Sequence, residues 1–148
     1  ETDPEYLEEM YESVINDKSI DIVNASRFKK NDIIIKDYGF FSSIFTYLFQ
    51  FLGRVFFEKK ITDFTVAYRL YKTEYFKKFN FINNNQNFCL ETLLVPLAIN
   101  SPKIKEIYYK WSKRSDGISS NNILNKFSYF KIFYYAFILK VKKDFINK

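Results

Sequence analysis

The side chains of this chain that could do chemistry are two carboxylates and three guanidinium groups, each set among aromatic or polar neighbours. A guanidinium fork binds a phosphate or a carboxylate through two hydrogen bonds, and a lysine cannot replace it in that geometry. A glycine and serine turn at residues 117–119 follows the last of the arginines. Such a set could hold an anionic phosphate ligand beside one carboxylate. The five residues are Asp63, Glu91, Arg27, Arg69 and Arg114.

Arginine is scarce in this sequence, which makes its positions informative. Of the 23 basic residues only four are arginine, at positions 27, 54, 69 and 114, so lysine supplies the general surface charge. Two interpretations stay open for each arginine: binding of a phosphate, or placement by chance or in a structural ion pair. Asp63 taken alone is also compatible with a plain solvated acid.

The absence of other reactive side chains excludes most enzyme classes. The chain has no histidine and one cysteine, Cys89, which excludes imidazole-based triads and ordinary zinc sites. It has neither a glycine-rich phosphate loop nor an Asp-x-Asp pair. Because a lone cysteine cannot form an internal disulfide, we expect a reducing compartment.

Length and charge set the class of molecule. With 148 residues, of which 47% are apolar and 27% charged, we expect one globular domain with a core of its own. Residues 1–25 carry eight acids and one lysine, whereas residues 26–148 carry 22 bases and nine acids. The larger part therefore has a cationic surface, which suits an anionic partner.

Hydrophobic spacing predicts an α/β alternation along the chain. Apolar residues at helical spacing predict one helix over residues 4–16 and another over residues 88–99. Runs of β-type residues at 20–25 and 104–111 predict strands, and Thr73 is expected to cap a short helix. The three site arginines fall outside these elements and are expected in loops.

Two further stretches are apolar over most of their length. Residues 38–57, whose only charge is Arg54, predict a helix that is partly sunk in a bilayer surface or buried in the core, while their polar residues argue against a true span. Residues 126–148 predict a basic amphipathic helix, and its apolar run at 132–139 is too short to cross a membrane. The lysines beside that run are typical of an interfacial helix on an anionic leaflet, and equally of an ordinary C-terminal helix.

Five short motifs follow one another in order over nearly the whole chain. They are Asp-Pro-Glu-Tyr-Leu at residues 3–7, Asp-Ile-Val-Asn-Ala-Ser-Arg-Phe at 21–28, Ile-Thr-Asp-Phe-Thr-Val-Ala-Tyr-Arg-Leu-Tyr at 61–71, Phe-Cys-Leu-Glu-Thr-Leu-Leu at 88–94, and Lys-Ile-Lys-Glu-Ile at 103–107 with Arg-Ser-Asp-Gly-Ile-Ser at 114–119. In order and spacing, this set resembles the second half of a family 2 glycosyltransferase of the dolichyl- or polyprenyl-phosphate sugar transferase type.

The resemblance implies a fold and an activity. The fold would be a partial GT-A (Rossmann-like) α/β domain, its acceptor-side half, over residues 1–125, followed by the helix at 126–148. The activity would be transfer of a sugar from a nucleotide-sugar donor to a membrane-associated acceptor such as a polyprenyl phosphate. The protein would be peripheral, on the cytoplasmic face of a membrane. The divalent metal of that reaction, Mg²⁺ or Mn²⁺, would be held by ligands before residue 1.

The resemblance also implies roles for individual residues. Asp63 would lie at the reacting centre as a base or as an orienting carboxylate. Because a phosphate acceptor is already ionised, the orienting role requires less of Asp63 than proton abstraction does. The residues implied to bind substrate are Ser26, Arg27, Arg69, Glu91, Arg114, Gly117 and Ser119.

Departures from the family pattern keep other interpretations open. Val66-Ala67 stands where Ser-Gly is usual and Tyr108 where a proline is usual, and the half with the nucleotide-binding strands would lie before Glu1. We therefore expect residues 1–148 alone to be inactive. One alternative is a catalytically inactive membrane-surface subunit. The other is a nucleic-acid-binding module, against which the clustering of aromatic residues in two apolar helices argues.

Overall fold

A computed structural model describes residues 4–28, 40–83, 87–110 and 123–146, and these form a mixed α/β structure. The α/β class predicted from the sequence is confirmed. In chain order the elements are α1 (Glu5–Asn16), β1 (Ile22–Ser26), α2 (Phe40–Phe56), β2 (Arg69–Tyr71), α3 (Thr73–Phe76), α4 (Phe88–Ile99), β3 (Ile104–Tyr108) and α5 (Ile123–Ile146).

The three strands form one small mixed sheet with β1 in the middle. The strand order is β2-β1-β3, in which β1 is antiparallel to β2 and parallel to β3. The register places Asn24 of β1 opposite Arg69 on one side and Glu106 on the other. Both neighbours of β1 therefore come from much later in the chain.

All five residues of β1 are buried, because both faces of this strand are covered. Successive side chains point to opposite faces. Val23 and Ala25 belong to a core that includes Met10 of α1. On the other face Ile22 belongs to the larger core with α4 and α5, and Asn24 follows two residues later on that face. The face is thus apolar at the start of β1 and polar towards its carboxyl end.

Two of the predicted helices match the structure closely, and two details elsewhere differ. Helices predicted at 4–16 and 88–99 are α1 and α4. Thr73 was expected to cap α3, but it is the first helical residue and Lys72 holds the cap position without a side-chain hydrogen bond. Arg69 was expected in a loop, but it begins β2, because its backbone pairs with Asn24.

Helix α2 has one buried flank and one exposed flank. Phe49, Gln50 and Gly53 are buried, and a Cβ added at Gly53 would lie 2.5 Å from the ring of Phe64. Glycine at this position therefore lets α2 approach the Phe64 ring closely. The flank that contains Phe51 is exposed. Helix α2 is therefore neither fully buried nor fully exposed.

Helix α5 packs against α4 and forms part of the larger core. It begins at Ile123, three residues before the predicted start. Ile132 and Ala136 are buried in the same core as Leu93 and Leu94 of α4. None of the helices in the described part of the chain is both long enough and apolar enough to cross a membrane.

Candidate functional site

An ion pair between Arg27 and Asp63 lies at the centre of the polar residues that the structure brings together. Arg27 Nε donates to Asp63 Oδ2 at 2.6 Å and Nη2 donates to Oδ1 at 2.8 Å, so the fork binds both carboxylate oxygens. The two side chains are 7% and 0% exposed, respectively. Asp63 is therefore not the solvated acid that its sequence context also allowed.

The Asp63 carboxylate accepts further hydrogen bonds from its own loop and from α2. The backbone N–H groups of Thr65 and Val66 donate to Oδ1 at 3.1 and 3.2 Å, a local pattern that aspartate favours in turns. Gln50 Nε2 donates to Oδ1 at 3.2 Å, and Gln50 Oε1 accepts from the Phe64 N–H at 2.6 Å. These bonds attach the Asp63 loop to α2 and surround the carboxylate with N–H donors.

Two opposing effects act on the pKa of Asp63. Burial raises this pKa because the charged form loses its hydration, but the charge and hydrogen bonds of Arg27, aided by Arg69, outweigh burial. The net pKa is below the ordinary value, so Asp63 is ionised at neutral pH. An ionised carboxylate that is enclosed in this way orients Arg27. Proton abstraction would require a carboxylate open to a substrate.

A row of three polar side chains crosses the sheet beside this ion pair. Asn24 lies opposite both Arg69 and Glu106, and side chains directly opposite one another lie on the same face of a sheet. Asn24 Nδ2 donates to Glu106 Oε1 at 2.8 Å, and Asn24 Oδ1 accepts from Arg69 Nε at 2.6 Å. Asn24 thus uses both ends of its amide to connect the three strands.

Glu106 connects this row to the Asp63 loop. Its Oε2 accepts from the backbone N–H and the hydroxyl of Thr62 at 2.9 and 2.8 Å. Burial raises the pKa of Glu106, although hydrogen bonds from Thr62 and Asn24 act in the opposite direction. The Thr62 hydroxyl also lies 2.6 Å from the hydroxyl of Ser26, which brings Ser26 into the same cluster.

Arg69 directs its whole guanidinium group into the protein. Besides the bond to Asn24, its Nη2 donates to the Phe64 carbonyl at 2.8 Å and its Nη1 donates to the Cys89 carbonyl at the start of α4. Arg69 therefore ties β2 to the Asp63 loop and to α4. We call the connected cluster the Asp63 network, and its members are Asn24, Ser26, Arg27, Gln50, Thr62, Asp63, Arg69 and Glu106.

The other predicted site residues are not members of this network. Glu91 is buried in α4 and accepts hydrogen bonds from the N–H of Ile82 at 2.8 Å, the N–H of Asn83 at 2.9 Å and the Asn83 side chain at 2.8 Å. Glu91 thus holds the segment before α4 in place. The three remaining predicted residues, Arg114, Gly117 and Ser119, lie outside the described residues.

Sequence reasoning missed four members of the network. A signal was present for Asn24 and Gln50, which are polar residues within otherwise apolar runs, whereas Glu106 follows Lys105 in a strand of mixed polarity. Buried polar groups are nearly always hydrogen-bonded, so such residues indicate internal partners. Thr62 carried no such signal, because it lies in an irregular loop of mixed polarity. The omitted residues all position the predicted ones.

The network lies where α/β proteins place their sites. Asn24, Ser26 and Arg27 are at the carboxyl end of β1, and in open α/β sheets ligands bind beyond the carboxyl ends of the strands. Within the described ranges no three Cys, Asp or Glu side chains are grouped so that they could hold a metal ion. No family model, curated protein or solved structure matches the chain. Its function is therefore inferred from residue types and geometry.

The two acids of the network predict opposite pH effects on stability. Burial raises the pKa of Glu106 in the folded chain, so stability from this group is present below its ordinary pKa and is lost as pH rises above it. The pKa of Asp63 is lowered, so stability from that group is lost on acidification below its ordinary value. Glu106→Gln, which cannot ionise, is expected to flatten the urea-midpoint profile on the alkaline side of the ordinary glutamate pKa.

The control for this prediction is Glu12→Gln on the exposed side of α1. Its midpoint profile should run parallel to that of the parent chain. If the Glu106→Gln profile were also parallel to the parent over this range, the raised pKa of Glu106 would be wrong.

Proposed function

We propose that this chain is the acceptor-side part of a GT-A glycosyltransferase that moves a sugar from a nucleotide-sugar donor to a polyprenyl phosphate at the cytoplasmic face of a membrane. The acceptor phosphate oxygen would attack the anomeric carbon while the bond from that carbon to the diphosphate breaks. The phosphate is already ionised, so this step requires no base from the described residues. The Mg²⁺ or Mn²⁺ that neutralises the leaving diphosphate would be held by carboxylates before residue 1.

The observation that carries this proposal is the convergence of the last four of the five motif segments, that is, all except the Asp-Pro-Glu-Tyr-Leu segment. The motifs were selected on sequence alone and lie far apart in the chain. Asn24 and Arg27 come from the first of the four, and Asp63 and Arg69 from the second. Cys89, whose carbonyl accepts from Arg69, belongs to the third motif, and Glu106 belongs to the fourth. Arg69 and Asn24 join all four through direct hydrogen bonds.

The proposal gives the three arginines different roles. Arg27 and Arg69 already donate to carboxylate, amide and carbonyl oxygens inside the chain. In our proposal they shape the carboxyl end of the sheet, and Asp63 orients Arg27. Contact with the acceptor phosphate is assigned to Arg114, with the turn at 117–119 ordering its loop.

A fluorescence titration tests this assignment, because the only tryptophan, Trp111, lies three residues before Arg114. We expect a saturable change when the chain is titrated with a detergent-solubilised polyprenyl phosphate, and no comparable change with the matching polyprenol. Arg114→Lys keeps the charge but loses the planar fork, so affinity should fall by about tenfold. The neighbouring change Lys113→Arg is the matched control and should leave affinity unchanged.

Two results would contradict the proposal. Equal affinity for the phosphate and the alcohol would show that no phosphate site exists, and tighter binding of single-stranded RNA would favour the nucleic-acid module instead. Sugar transfer itself requires the upstream half, so the chain alone should show none. Metal-dependent transfer by residues 1–148 alone would contradict the assignment of this chain to one half of the enzyme.

A further inference from the structure

Helices α2 and α5 lie side by side and run in the same direction. The ring centroids of Phe45 and Phe127 are 5.4 Å apart at one end of the pair. Those of Phe49 and Phe130 are 4.8 Å apart further along. Phe56 then lies 5.2 Å from Phe137, a third contact in the same order along both helices. These ring contacts, which we call the aromatic seam, hold the two helices as a parallel pair.

Both helices of the pair bury one flank on the same side of that seam. On α2, Gln50 and Gly53 contact the Phe64 loop. On α5, Ile132 and Ala136 are buried in the core with Phe64 and α4. Two helices that pack on each other and on one core must expose their remaining flanks on the side away from that core. We call this exposed side of the pair the outer face.

The outer face exposes large apolar and aromatic side chains to water. On α2, Ile44, Tyr47, Phe51 and Val55 are each about half exposed. They recur at helical spacing and so form one stripe. A contiguous apolar patch of this kind on a soluble chain marks a surface that binds something. The other large exposed apolar residues of the pair are Leu48, Phe56, Phe127, Tyr134, Phe145 and Ile146.

The charges around the outer face are mostly positive. Exposed cations on the two helices include Arg54, Lys131 and Lys142, while α2 contains no acid and Asp144 is exposed near the end of α5. Lysines beside an apolar, aromatic helix face are attracted to anionic lipid headgroups, and the aromatic rings lie at the level of those headgroups. This charge pattern favours a lipid surface as the occupant.

A second exposed stripe on the same molecule shows how much the charge matters. Leu7, Tyr11 and Ile15 of α1 are 49%, 60% and 53% exposed, which is as much as the residues of the outer face. Glu8 and Glu12 lie among them and are also exposed. An anionic leaflet would repel that stripe. The chain therefore offers one apolar surface with cations and one with anions.

We propose that the outer face docks on an anionic bilayer surface, with α2 and α5 lying in the plane of the membrane. This deepens the proposed function, since it names the surface from which that site would receive a lipid-linked acceptor. Arg54 links the two regions: its Nε donates to the Ile61 carbonyl at 3.2 Å, two residues before Asp63. Docking through the outer face would hold the Asp63 loop on the opposite side of α2, about 10 Å (one helix diameter) from the headgroups.

Vesicle flotation of the full 148-residue chain tests this proposal. We expect the chain to float with vesicles of phosphatidylcholine mixed with phosphatidylglycerol, less with phosphatidylcholine alone, and less at high salt. Combined Phe51→Glu and Val55→Glu changes on the outer face should abolish flotation. Leu7→Glu and Tyr11→Glu on α1 form the matched control, with the same spacing and similar exposure, and should leave flotation unchanged. Combined Lys131→Glu and Lys142→Glu changes should weaken partitioning by at least about tenfold.

Circular dichroism of every variant establishes that the helices are formed. A folded parent chain that stays unbound with all vesicles would overturn the proposal, and so would a Phe51→Glu/Val55→Glu variant that floats like the parent. A dimer that these changes dissociate, with no vesicle binding, would assign the outer face to a second copy of the chain and also overturn it. No sugar or prenyl phosphate is present, so failure here is distinct from failure of the proposed function.

Discussion

Replacing Asp63 with asparagine is expected to lower the free energy of unfolding by about 3–5 kcal/mol, because it leaves the Arg27 guanidinium buried without a counter-charge. The Arg27 side chain is only 7% exposed, so water cannot replace the lost partner. The asparagine amide also places an NH₂ group beside N–H donors that bind a carboxylate oxygen in the parent chain. Urea denaturation at neutral pH measures the loss.

The surface pair between Asp17 and Lys103 provides the matched control. These side chains are 45% and 57% exposed, so Asp17→Asn should leave the urea midpoint close to that of the parent. The double variant Asp63→Asn with Arg27→Met removes both charges and keeps an oxygen acceptor for the Thr65 and Val66 N–H groups, so it should be less destabilised than Asp63→Asn alone. Equal midpoints for Asp63→Asn and Asp17→Asn would contradict the buried ion pair.

Arg69→Lys is expected to destabilise the fold by about 2–4 kcal/mol, because one ammonium group cannot reach three acceptors that lie in different directions. The guanidinium donates to Asn24, to the Phe64 carbonyl and to the Cys89 carbonyl. Loss of these bonds removes the Arg69 donor from the buried Asn24 amide oxygen and the Phe64 carbonyl, and it breaks the link from β2 to α4. The measurement is again the free energy of unfolding in urea.

Arg54→Lys is the control for this second prediction, because Arg54 has an exposed side chain and its bonds to Ile61 and Thr62 are longer, at 3.2 and 3.4 Å. We expect a change within about 0.5 kcal/mol. If Arg69→Lys kept its stability but lost affinity for a polyprenyl phosphate, the structural role of Arg69 would be wrong and the phosphate role favoured by the sequence would replace it.

Local patterns predicted the helices well because helix periodicity is contained within one segment. The range predicted at 88–99 is that of α4, and α1 differs from its predicted range by one residue. Strand β2 was not predicted, because three residues are too few for an alternating pattern. Its existence depends on pairing with β1, which lies 45 residues away at the Asn24 and Arg69 pair.

Residue type alone was enough to select Arg27, Asp63 and Arg69, but it could not say what they contact. The preference of guanidinium for oxygen acceptors holds equally for a phosphate and for a carboxylate of the same chain. Asp63 lies 36 residues from Arg27, and only the folded chain shows that they pair. Glu106 stayed unnoticed as a site residue for the same reason, since its partner Asn24 is 82 residues away.

The central position of β1 has a consequence for how the chain assembles. Its antiparallel neighbour begins at Arg69 and its parallel neighbour at Ile104, so β1 is made before either partner. Sheets built from such distant pairings fold slowly, because long loops must close before any pairing is gained. Until Glu106 has been made, Asn24 and the Thr62 N–H and hydroxyl lack the carboxylate that accepts from both residues. Until β2 and β3 have been made, both edges of β1 are open to pairing with other chains, which is a route to aggregation.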